Sequence, residues 1–442
     1  MNFYDRDEEM ASLEEADRQS QQNHSMLTVV TGRRRIGKTS LLLRRFKGAP
    51  CVYLYVSRNN ESALCMKFAQ EINNSIDAYV PAGVTAFSEI FHFLMTVGTQ
   101  KHFTLIIDEF QEFFYVNPAV FSEMQDIWDR YRMESHVNLV VCGSVNTLMH
   151  KIFRDAHEPL YGRADRIIKL MPFGPSVLRK VLTDYKPDYT NEDLLALYNF
   201  TGGVPKYIEM FVDSGMMDLM GMIKLILRRD MPFLDEGKAM LVQEFGKNYG
   251  NYFSILSAIA SGKNTISEIM STMGGIEIGG LLKRLEEDYS VIEKKRPIFA
   301  KPASQTVRYE INDNFLRFWF RYIDRYSNLI ESNNLAKLEN IITVDYLTYS
   351  GYVLERYFKD KMRESHDFSE IGSWWEGKNA ENQNEIDIVG IYADSKTALV
   401  AEVKRQSKNF KPEVFGNKIE ALRKKALFGY KIKSRCLSMK DM

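Results

Sequence analysis

The sequence predicts an α/β fold: a parallel β-sheet in the first third of the chain, then a helical region, then a second α/β domain near the carboxyl end. Three observations lead to this prediction. Short apolar runs alternate with helix-length segments, a glycine-rich loop directly follows the first run, and strand-like segments return in the last hundred residues. The chain has 442 residues, enough for about three domains of roughly 150 residues each.

Composition and charge exclude several classes of protein. Lys plus Arg and Asp plus Glu both number 58, so the formal net charge is zero and any binding of nucleic acid must depend on local segments. The four cysteines form no CxxC pair, which favours reduced thiols and a cytoplasmic location. Residues 5–9 are acidic and no apolar run reaches about 18 residues, so we expect neither secretion nor membrane spanning.

Five apolar runs predict the strands of the first domain. Each is short and rich in β-branched or aromatic residues, as is typical of parallel strands that are buried on both faces. The runs are residues 26–30, 51–56, 103–107, 138–142 and 166–170. We expect this core to occupy residues 1–172 and the helical pattern after it to form a lid over residues 173–240.

The loop after the first run fits the pattern GxxxxGK[ST] in full, which predicts a P-loop NTPase. Its glycines let successive backbone N–H groups face phosphate oxygens. We expect Lys38 to reach the β and γ phosphates and the Thr39 hydroxyl to ligate Mg²⁺, so ATP and Mg²⁺ are the predicted cofactors. The expected nucleotide-binding residues here are Gly32, Arg33, Arg34, Arg35, Ile36, Gly37, Lys38, Thr39 and Ser40.

Two carboxylates, Asp108 and Glu109, end the third apolar run in the manner of a Walker B element. At the carboxyl end of a strand, Asp108 would bind the magnesium site and Glu109 would polarise the attacking water. The two motifs together predict ATP hydrolysis, with Lys38 and Glu109 as catalytic residues.

Three further positions suggest supporting roles. Ser144 follows the fourth run, where a residue that senses the γ phosphate would lie; an ordinary turn after the strand is the alternative. Arg163 or Arg166 could be an arginine finger supplied to a neighbouring subunit, which would make the protein a homo-oligomer. A surface arginine paired with Asp165 is the other interpretation.

Four segments resemble the archaeal-type P-loop ATPases of the AAA+ class, which often carry a C-terminal domain of unknown function. The segments are residues 3–13, 31–39, 107–111 and 201–207, and the resemblance extends over most of the chain. It implies that residues 3–13 lie near the adenine and that residues 201–207 lie on the lid near the phosphates. Lys206 is the basic residue of that lid motif, where the family pattern leads us to expect arginine.

Residues 241–325 predict a winged-helix-like middle domain. Three helical segments precede a basic run and a strand-like segment; these are residues 253–260, 266–270, 281–285, 294–297 and 306–311. A plain helical linker domain is the alternative. We interpret the aromatic segment 315–322 as core packing.

The last domain, residues 326–442, contains a set of charged residues suited to metal chemistry. Asp387 and Glu402 lie on two strand-like segments that a hairpin would bring together, and Lys404 would share a strand face with Glu402. Because such charges are costly to bury alone, a divalent metal held by Asp387 and Glu402 would satisfy them and could activate water against a phosphodiester.

This arrangement resembles the restriction-endonuclease-like PD-(D/E)xK nucleases. The resemblance implies that Asp387, Glu402 and Lys404 are catalytic, with Glu355 on the preceding helix as an additional acidic residue. Ile386 stands where the proline of the motif would precede the aspartate.

Two functions agree with this organisation. The first is an ATP-dependent enzyme that acts on DNA, in which the nucleotide controls access to Asp387, Glu402 and Lys404. The alternative is a regulatory or scaffold ATPase whose C-terminal domain binds nucleic acid or protein without cleaving.

Overall fold

The computed structural model describes residues 1–144, 146–245, 249–301, 304, 306–377, 384–393 and 395–442. The chain forms two compact units, one of residues 3–171 and one of residues 1–2 with 172–442. The finer division into residues 1–172, 173–240, 241–325 and 326–442 remains a prediction, because the last three of these ranges lie in one unit.

The unit of residues 3–171 is built on a five-stranded parallel sheet, which confirms the α/β prediction for the first third of the chain. The strand order is β2-β3-β4-β1-β5. The strands are β1 (Met26–Thr31), β2 (Cys51–Tyr55), β3 (Phe103–Asp108), β4 (Val137–Gly143) and β5 (Arg166–Lys169). Because all five run in the same direction, the carboxyl ends of β1, β3 and β4 meet at one edge of the sheet.

Helices surround this sheet, and every residue of β3 and β4 is buried. This burial on both faces explains why those strands are continuous apolar runs rather than alternating ones. The helices are α1 (Asp7–Gln22), α2 (Lys38–Arg45), α3 (Glu61–Ser75), α4 (Phe87–Gly98), α5 (Phe113–Val116), α6 (Ala119–Tyr131) and α7 (Asn146–Arg154).

The second unit begins with helices in the predicted lid and middle regions. They are α8 (Pro175–Tyr185), α9 (Asn191–Thr201), α10 (Pro205–Ser214), α11 (Leu219–Ile226), α12 (Phe233–Phe245), α13 (Tyr249–Ala260), α14 (Ile266–Thr272) and α15 (Gly279–Lys283). The antiparallel strands β6 (Ile292–Lys295) and β7 (Arg308–Ile311) follow, so part of the basic run lies in a strand. The rings of Phe315, Phe318 and Trp319 are buried, in agreement with the core-packing interpretation.

The carboxyl-terminal part of this unit contains a four-stranded mixed sheet of order β11-β10-β9-β8. Only β10 and β11 are parallel to each other. Its elements and the helices before them are α16 (Asn314–Phe318), α17 (Ser327–Glu331), α18 (Leu335–Glu364), β8 (Phe368–Trp375), β9 (Glu385–Tyr392), β10 (Thr397–Val403), α19 (Pro412–Lys425) and β11 (Lys431–Leu437).

No helix within the described ranges combines the length and the apolar character that crossing a membrane requires.

Candidate functional site

The loop between β1 and α2 requires glycine at both ends. Gly32 has φ +150°, and a Cβ there would lie 2.9 Å from the carbonyl oxygen of Leu170. Gly37 has φ +94° and caps the amino end of α2. Residues with a side chain rarely adopt these backbone conformations, so the turn of the loop requires the two glycines of the motif.

Lys38 is buried and its side chain turns back over this loop. Its Nζ donates hydrogen bonds to the carbonyl oxygens of Gly32, at 2.9 Å, and Arg33, at 3.2 Å. Among the remaining predicted loop residues, Ile36 is buried, Arg33 and Arg35 are half-buried, and Arg34 and Ser40 are exposed.

Asp108 connects the two sequence motifs. Its Oδ2 accepts a hydrogen bond from the Thr39 hydroxyl at 2.7 Å, and its Oδ1 accepts one from the backbone N–H of Glu109 at 2.8 Å. A hydroxyl and a carboxylate in contact are the hard oxygen ligands that Mg²⁺ prefers. Thr39 and Asp108 therefore fit a magnesium ion, and the loop with Lys38 fits nucleotide phosphates.

Two more side chains hold Asp108, and the sequence did not reveal them. The Tyr53 hydroxyl donates to Oδ2 at 2.7 Å and the Cys142 thiol donates to Oδ1 at 2.8 Å. Burial, reinforced by Asp108, raises the pKa of both groups well above its usual value, so both remain protonated donors at neutral pH. Their positions on β2 and β4, the strands that flank β3, were the available signal.

Glu109 has a left-handed backbone with φ 54°, which is rare for a residue other than glycine. Its Oε2 accepts hydrogen bonds from the Ser144 hydroxyl at 2.8 Å and from Gln111 Nε2 at 2.5 Å. Ser144 thus lies beside the predicted catalytic carboxylate.

Gln111, which sequence reasoning missed, connects Glu109 to Glu112. It is fully buried, and its Nε2 also lies 3.3 Å from Glu112 Oε1. Glu112 is in turn paired with the exposed Arg58. The predicted catalytic glutamate is therefore connected through buried side chains to a surface ion pair.

The two predicted finger arginines are engaged in ion pairs. Arg163 pairs with Asp129 at 2.9 Å and Arg166 pairs with Glu15 at 3.3 Å. The proposed local partner, Asp165, was wrong, because Asp165 pairs with Arg132 instead.

Lys206 belongs to the second unit, where it pairs with Glu209 at 2.6 Å. Both side chains lie within the first turns of α10.

The second unit brings Asp387, Glu402 and Lys404 together at the ends of β9 and β10. Asp387 Oδ2 accepts a hydrogen bond from the backbone N–H of Val403 at 2.7 Å. Glu402 Oε1 accepts from Lys404 Nζ at 2.9 Å and from Lys418 Nζ at 3.2 Å. Lys418, on α19, had no signal in the sequence.

Glu355 on α18 interacts electrostatically with Asp387. Burial, followed by the charge of Asp387, raises the pKa of Glu355 above its usual range, and burial raises the pKa of Asp387 as well. In the parts of the chain that the structure describes, no three His, Cys, Asp or Glu side chains are grouped so that they could hold a metal ion. The predicted metal pair, Asp387 and Glu402, would therefore need other oxygen ligands.

Comparison with known proteins relates both units to described families. The family described as an ATPase domain predominantly from Archaea matches residues 3–211, and the family described as Archaea bacterial proteins of unknown function matches residues 319–414. The uncharacterized protein MJECL04 of Methanocaldococcus jannaschii is 31% identical over 411 residues, which are 91% of this chain and 87% of that protein.

Solved structures add information on the fold. A Walker-type ATPase of Pyrococcus abyssi matches with a TM-score of 0.55 at 19% identity, over 72% of this chain and 96% of that one. The ORC2 protein of Aeropyrum pernix, solved as ADPNP-ADP complexes, matches with a TM-score of 0.46 at 11% identity, over 75% and 95%. The first of these shows a shared fold.

Proposed function

Since this chain belongs to the archaeal-type ATPase family in which an ATPase domain precedes a domain of unknown function, we propose that residues 3–171 bind ATP with Mg²⁺ and hydrolyse it. The observation that carries this proposal is the 2.7 Å hydrogen bond between Thr39 and Asp108. Two motifs about seventy residues apart in sequence meet there, as a magnesium nucleotide site requires.

Each residue has a distinct task in this proposal. The loop N–H groups and Lys38 bind the phosphates, while Thr39 and Asp108 hold the magnesium ion, which neutralises phosphate charge when bound. Glu109 orients the attacking water and accepts its proton. Ser144 and Gln111 keep the Glu109 carboxylate in place.

The test compares Lys38→Ala and Glu109→Gln with the unaltered protein. We expect Lys38→Ala to lose binding of a fluorescent ATP analogue. Glu109→Gln should retain binding and lose at least about a hundredfold in hydrolysis. Arg130→Ala, which removes an exposed ion pair with Asp126, is the control. Hydrolysis that persists in Lys38→Ala would overturn the proposal.

An assembled form of the ATPase is a finer part of the proposal. Arg163 or Arg166 would release its present partner and reach the nucleotide of a neighbouring copy. A mixture of Arg163→Ala and Glu109→Gln subunits should then recover part of the lost hydrolysis, whereas a monomer in sedimentation with full activity would contradict it.

We propose that residues 241–325 form a winged-helix-like domain. The three helices followed by the β6–β7 pair support this proposal. Lys295 is only 19% exposed and pairs with Glu310 at 2.5 Å, so it is not available to a ligand. Arg296 is the exposed member of the basic run.

Metal-dependent cleavage of DNA is the second candidate function. It is favoured by the proximity of Asp387 to the strand that carries Glu402 and Lys404. In this proposal Asp387 and Glu402 hold the metal, Lys404 stabilises developing charge and Glu355 supplements the acidic set.

Cleavage of labelled single- and double-stranded DNA with Mg²⁺ or Mn²⁺, with and without ATP, tests this candidate. We expect Asp387→Ala to abolish cleavage and Lys38→Ala to change only its ATP dependence. Absence of cleavage from the unaltered protein, with ATP still hydrolysed, would instead favour a regulatory ATPase whose C-terminal domain binds without cleaving.

A further inference from the structure

The chain has zero net charge overall, but its carboxyl-terminal stretch is strongly basic. Residues 396–442 contain thirteen Lys or Arg against four Asp or Glu, a net charge of +9. Ten of these basic side chains are exposed, compared with three of the acidic ones. Most of the positive charge is therefore presented to solvent.

Three of these cations form a regular row on strand β11. Lys431, Lys433 and Arg435 alternate with residues of the opposite face, where Ile432 packs into the core beside α19. Alternate residues of a strand are roughly 6.6 Å apart, so the row spans about 13 Å. Lys396 lies at its start, because its carbonyl oxygen accepts the N–H of Lys431 at 2.9 Å. We call Lys396, Lys431, Lys433 and Arg435 the basic strip.

The basic strip is not neutralised by the described part of the chain. None of its four side chains makes a salt bridge within the described ranges, and Lys433 Nζ lies 4.7 Å from the centre of the Tyr392 ring. Nearby cations differ, since Lys418 pairs with Glu402 and Arg423 pairs with Glu420. Within the described residues of this stretch, Lys408, Lys411, Lys424 and Lys440 are also exposed and make no salt bridge, but the cations of β11 are the ones arranged in a regular row.

An exposed aromatic ring stands at the beginning of this strip. Phe428, in the turn between α19 and β11, is 90% exposed. Gly429 follows with φ +79°, and the exposed Lys424 and Lys431 lie within four residues on either side. An exposed ring with cations close to it in sequence offers a base a stacking surface and its phosphates a counter-charge.

We propose that the basic strip and Phe428 form a binding surface for nucleic acid, with phosphates along β11 and an unpaired base on Phe428. A ring at the tip of a turn can stack only on a base that is free of its partner, so single strands should bind better than duplexes. The biological role of this surface rests on the proposed action on DNA. Its binding of nucleic acid can be tested separately, because binding is measured without cleavage.

A membrane surface is a less suitable partner. Docking of a protein on lipid is strongest when an apolar face or a lipid anchor adds to the attraction of its cations. Within the described residues of 396–442, the exposed large apolar side chains are Phe428 and Val414 alone. Cations spaced evenly along one strand suit a linear polyanion instead.

The experiment measures fluorescence anisotropy of a labelled twenty-nucleotide single strand in EDTA. In that buffer metal-dependent cleavage cannot proceed. The strip variant combines Lys431→Ala, Lys433→Ala and Arg435→Ala. The control removes three exposed cations from the other unit, through Lys47→Ala, Lys67→Ala and Arg130→Ala. Thermal unfolding verifies that each variant is folded.

We expect the strip variant to bind at least about tenfold more weakly and to reduce the slope of log affinity against log salt by about 2, since each single-strand phosphate contact contributes about 0.7. Phe428→Ala should lose about tenfold in affinity for the single strand at an unchanged slope, and Phe428→Tyr should restore it.

Equal affinity of the strip and control variants would overturn the proposal, as would tighter binding to anionic phosphatidylserine vesicles than to the oligonucleotide. Asp387→Ala separates this surface from the proposed nuclease site. Retained binding with lost cleavage supports both proposals, whereas retained cleavage contradicts the nuclease proposal alone.

Discussion

The side-chain amide of Gln111 donates a hydrogen bond of 2.5 Å to the carboxylate of Glu109. Glu109 occupies a left-handed backbone conformation that costs about 1 to 3 kcal/mol and persists only when its surroundings enforce it. Gln111 is itself fully buried and bonded onward to Glu112. The orientation of the predicted catalytic glutamate is thus set by a side chain two residues further along the chain.

Replacing Gln111 by Met keeps its length and removes the hydrogen bond. We expect ATP hydrolysis to fall by about tenfold or more, because Glu109 loses one of its two fixed donors. The affinity for a nucleotide analogue should stay within twofold, since the hydrogen bonds of Gln111 go to Glu109 and Glu112. Stopped-flow binding and steady-state hydrolysis measure the two quantities separately.

Ser144→Ala, which removes the other donor to Glu109, provides the matched comparison. The double variant should lose less than the product of the two single losses if both act through Glu109. A decrease in nucleotide affinity that parallels the decrease in hydrolysis would indicate general disruption and contradict the positioning role.

Because Gly143 has no side chain, the side chain of Gln111 can lie directly against it. A Cβ at this position would lie 2.3 Å from Gln111 Oε1 and 2.5 Å from Met149 Sδ. Gly143→Ala should therefore displace Gln111, lower hydrolysis as Gln111→Met does, and destabilise the unit by about 1 to 3 kcal/mol.

The combination of Gly143→Ala with Gln111→Ala tests this explanation. Shortening Gln111 makes room for the new methyl group, so urea denaturation should show that part of the lost stability returns. Additive losses in the double variant would show that the collision with Met149, not with Gln111, determines the cost.

Cys142 should act on Asp108 through its thiol hydrogen bond. We expect Cys142→Ala to weaken magnesium-dependent nucleotide binding several-fold, since it removes one of the donors that orient Asp108. Cys142→Ser keeps a donor and should bind as the unaltered protein does. Titration of a nucleotide analogue at several Mg²⁺ concentrations measures the effect, and identical curves for the Ala and Ser variants would contradict it.

The sequence was sufficient to predict that those candidate site residues whose position follows from strand order would lie close together. Lys38, Thr39 and Asp108 end or follow strands whose carboxyl ends meet at one edge, and the motif spacing identifies them. Gln111 and Tyr53 were missed because their contacts depend on the direction of one side chain after a left-handed residue, or on the register between neighbouring strands.

The C-terminal cluster shows the same limit. A hairpin prediction was enough to bring Asp387 close to Glu402, since the pairing is local. The contribution of Lys418 depends on how α19 packs on the sheet, and periodicity contains no information on that. For Arg163, the nearest acid in sequence was a poor guide, because Asp129 on α6 reaches it from 34 residues away.

Glu310 on β7 should make the stability of residues 172–442 depend on pH. Its carboxylate pairs with Lys295 at 2.5 Å and Arg317 at 3.5 Å, and it accepts a hydrogen bond from Tyr352. Burial opposes ionisation, but the two cations outweigh it and hold the pKa of Glu310 well below its usual value near 4.5. A depressed pKa stabilises the folded state above the unfolded value, and this stability is lost as the pH falls below about 4.5.

Glu310→Gln removes that dependence while preserving the shape of the side chain. We expect it to cost about 3 kcal/mol at pH 7, because Lys295 and Arg317 remain half-buried or buried without their counter-charge. Between pH 4.5 and 3 the variant should lose stability less steeply than the unaltered protein, so the two free energies of unfolding converge. Glu287→Gln, which removes an exposed pair with Lys283, should change stability by less than about 1 kcal/mol. Urea denaturation monitored by tryptophan fluorescence suits this test, since three of the four tryptophans lie in this unit. Parallel pH profiles for Glu310→Gln and the unaltered protein would show that another group is responsible for the acid sensitivity.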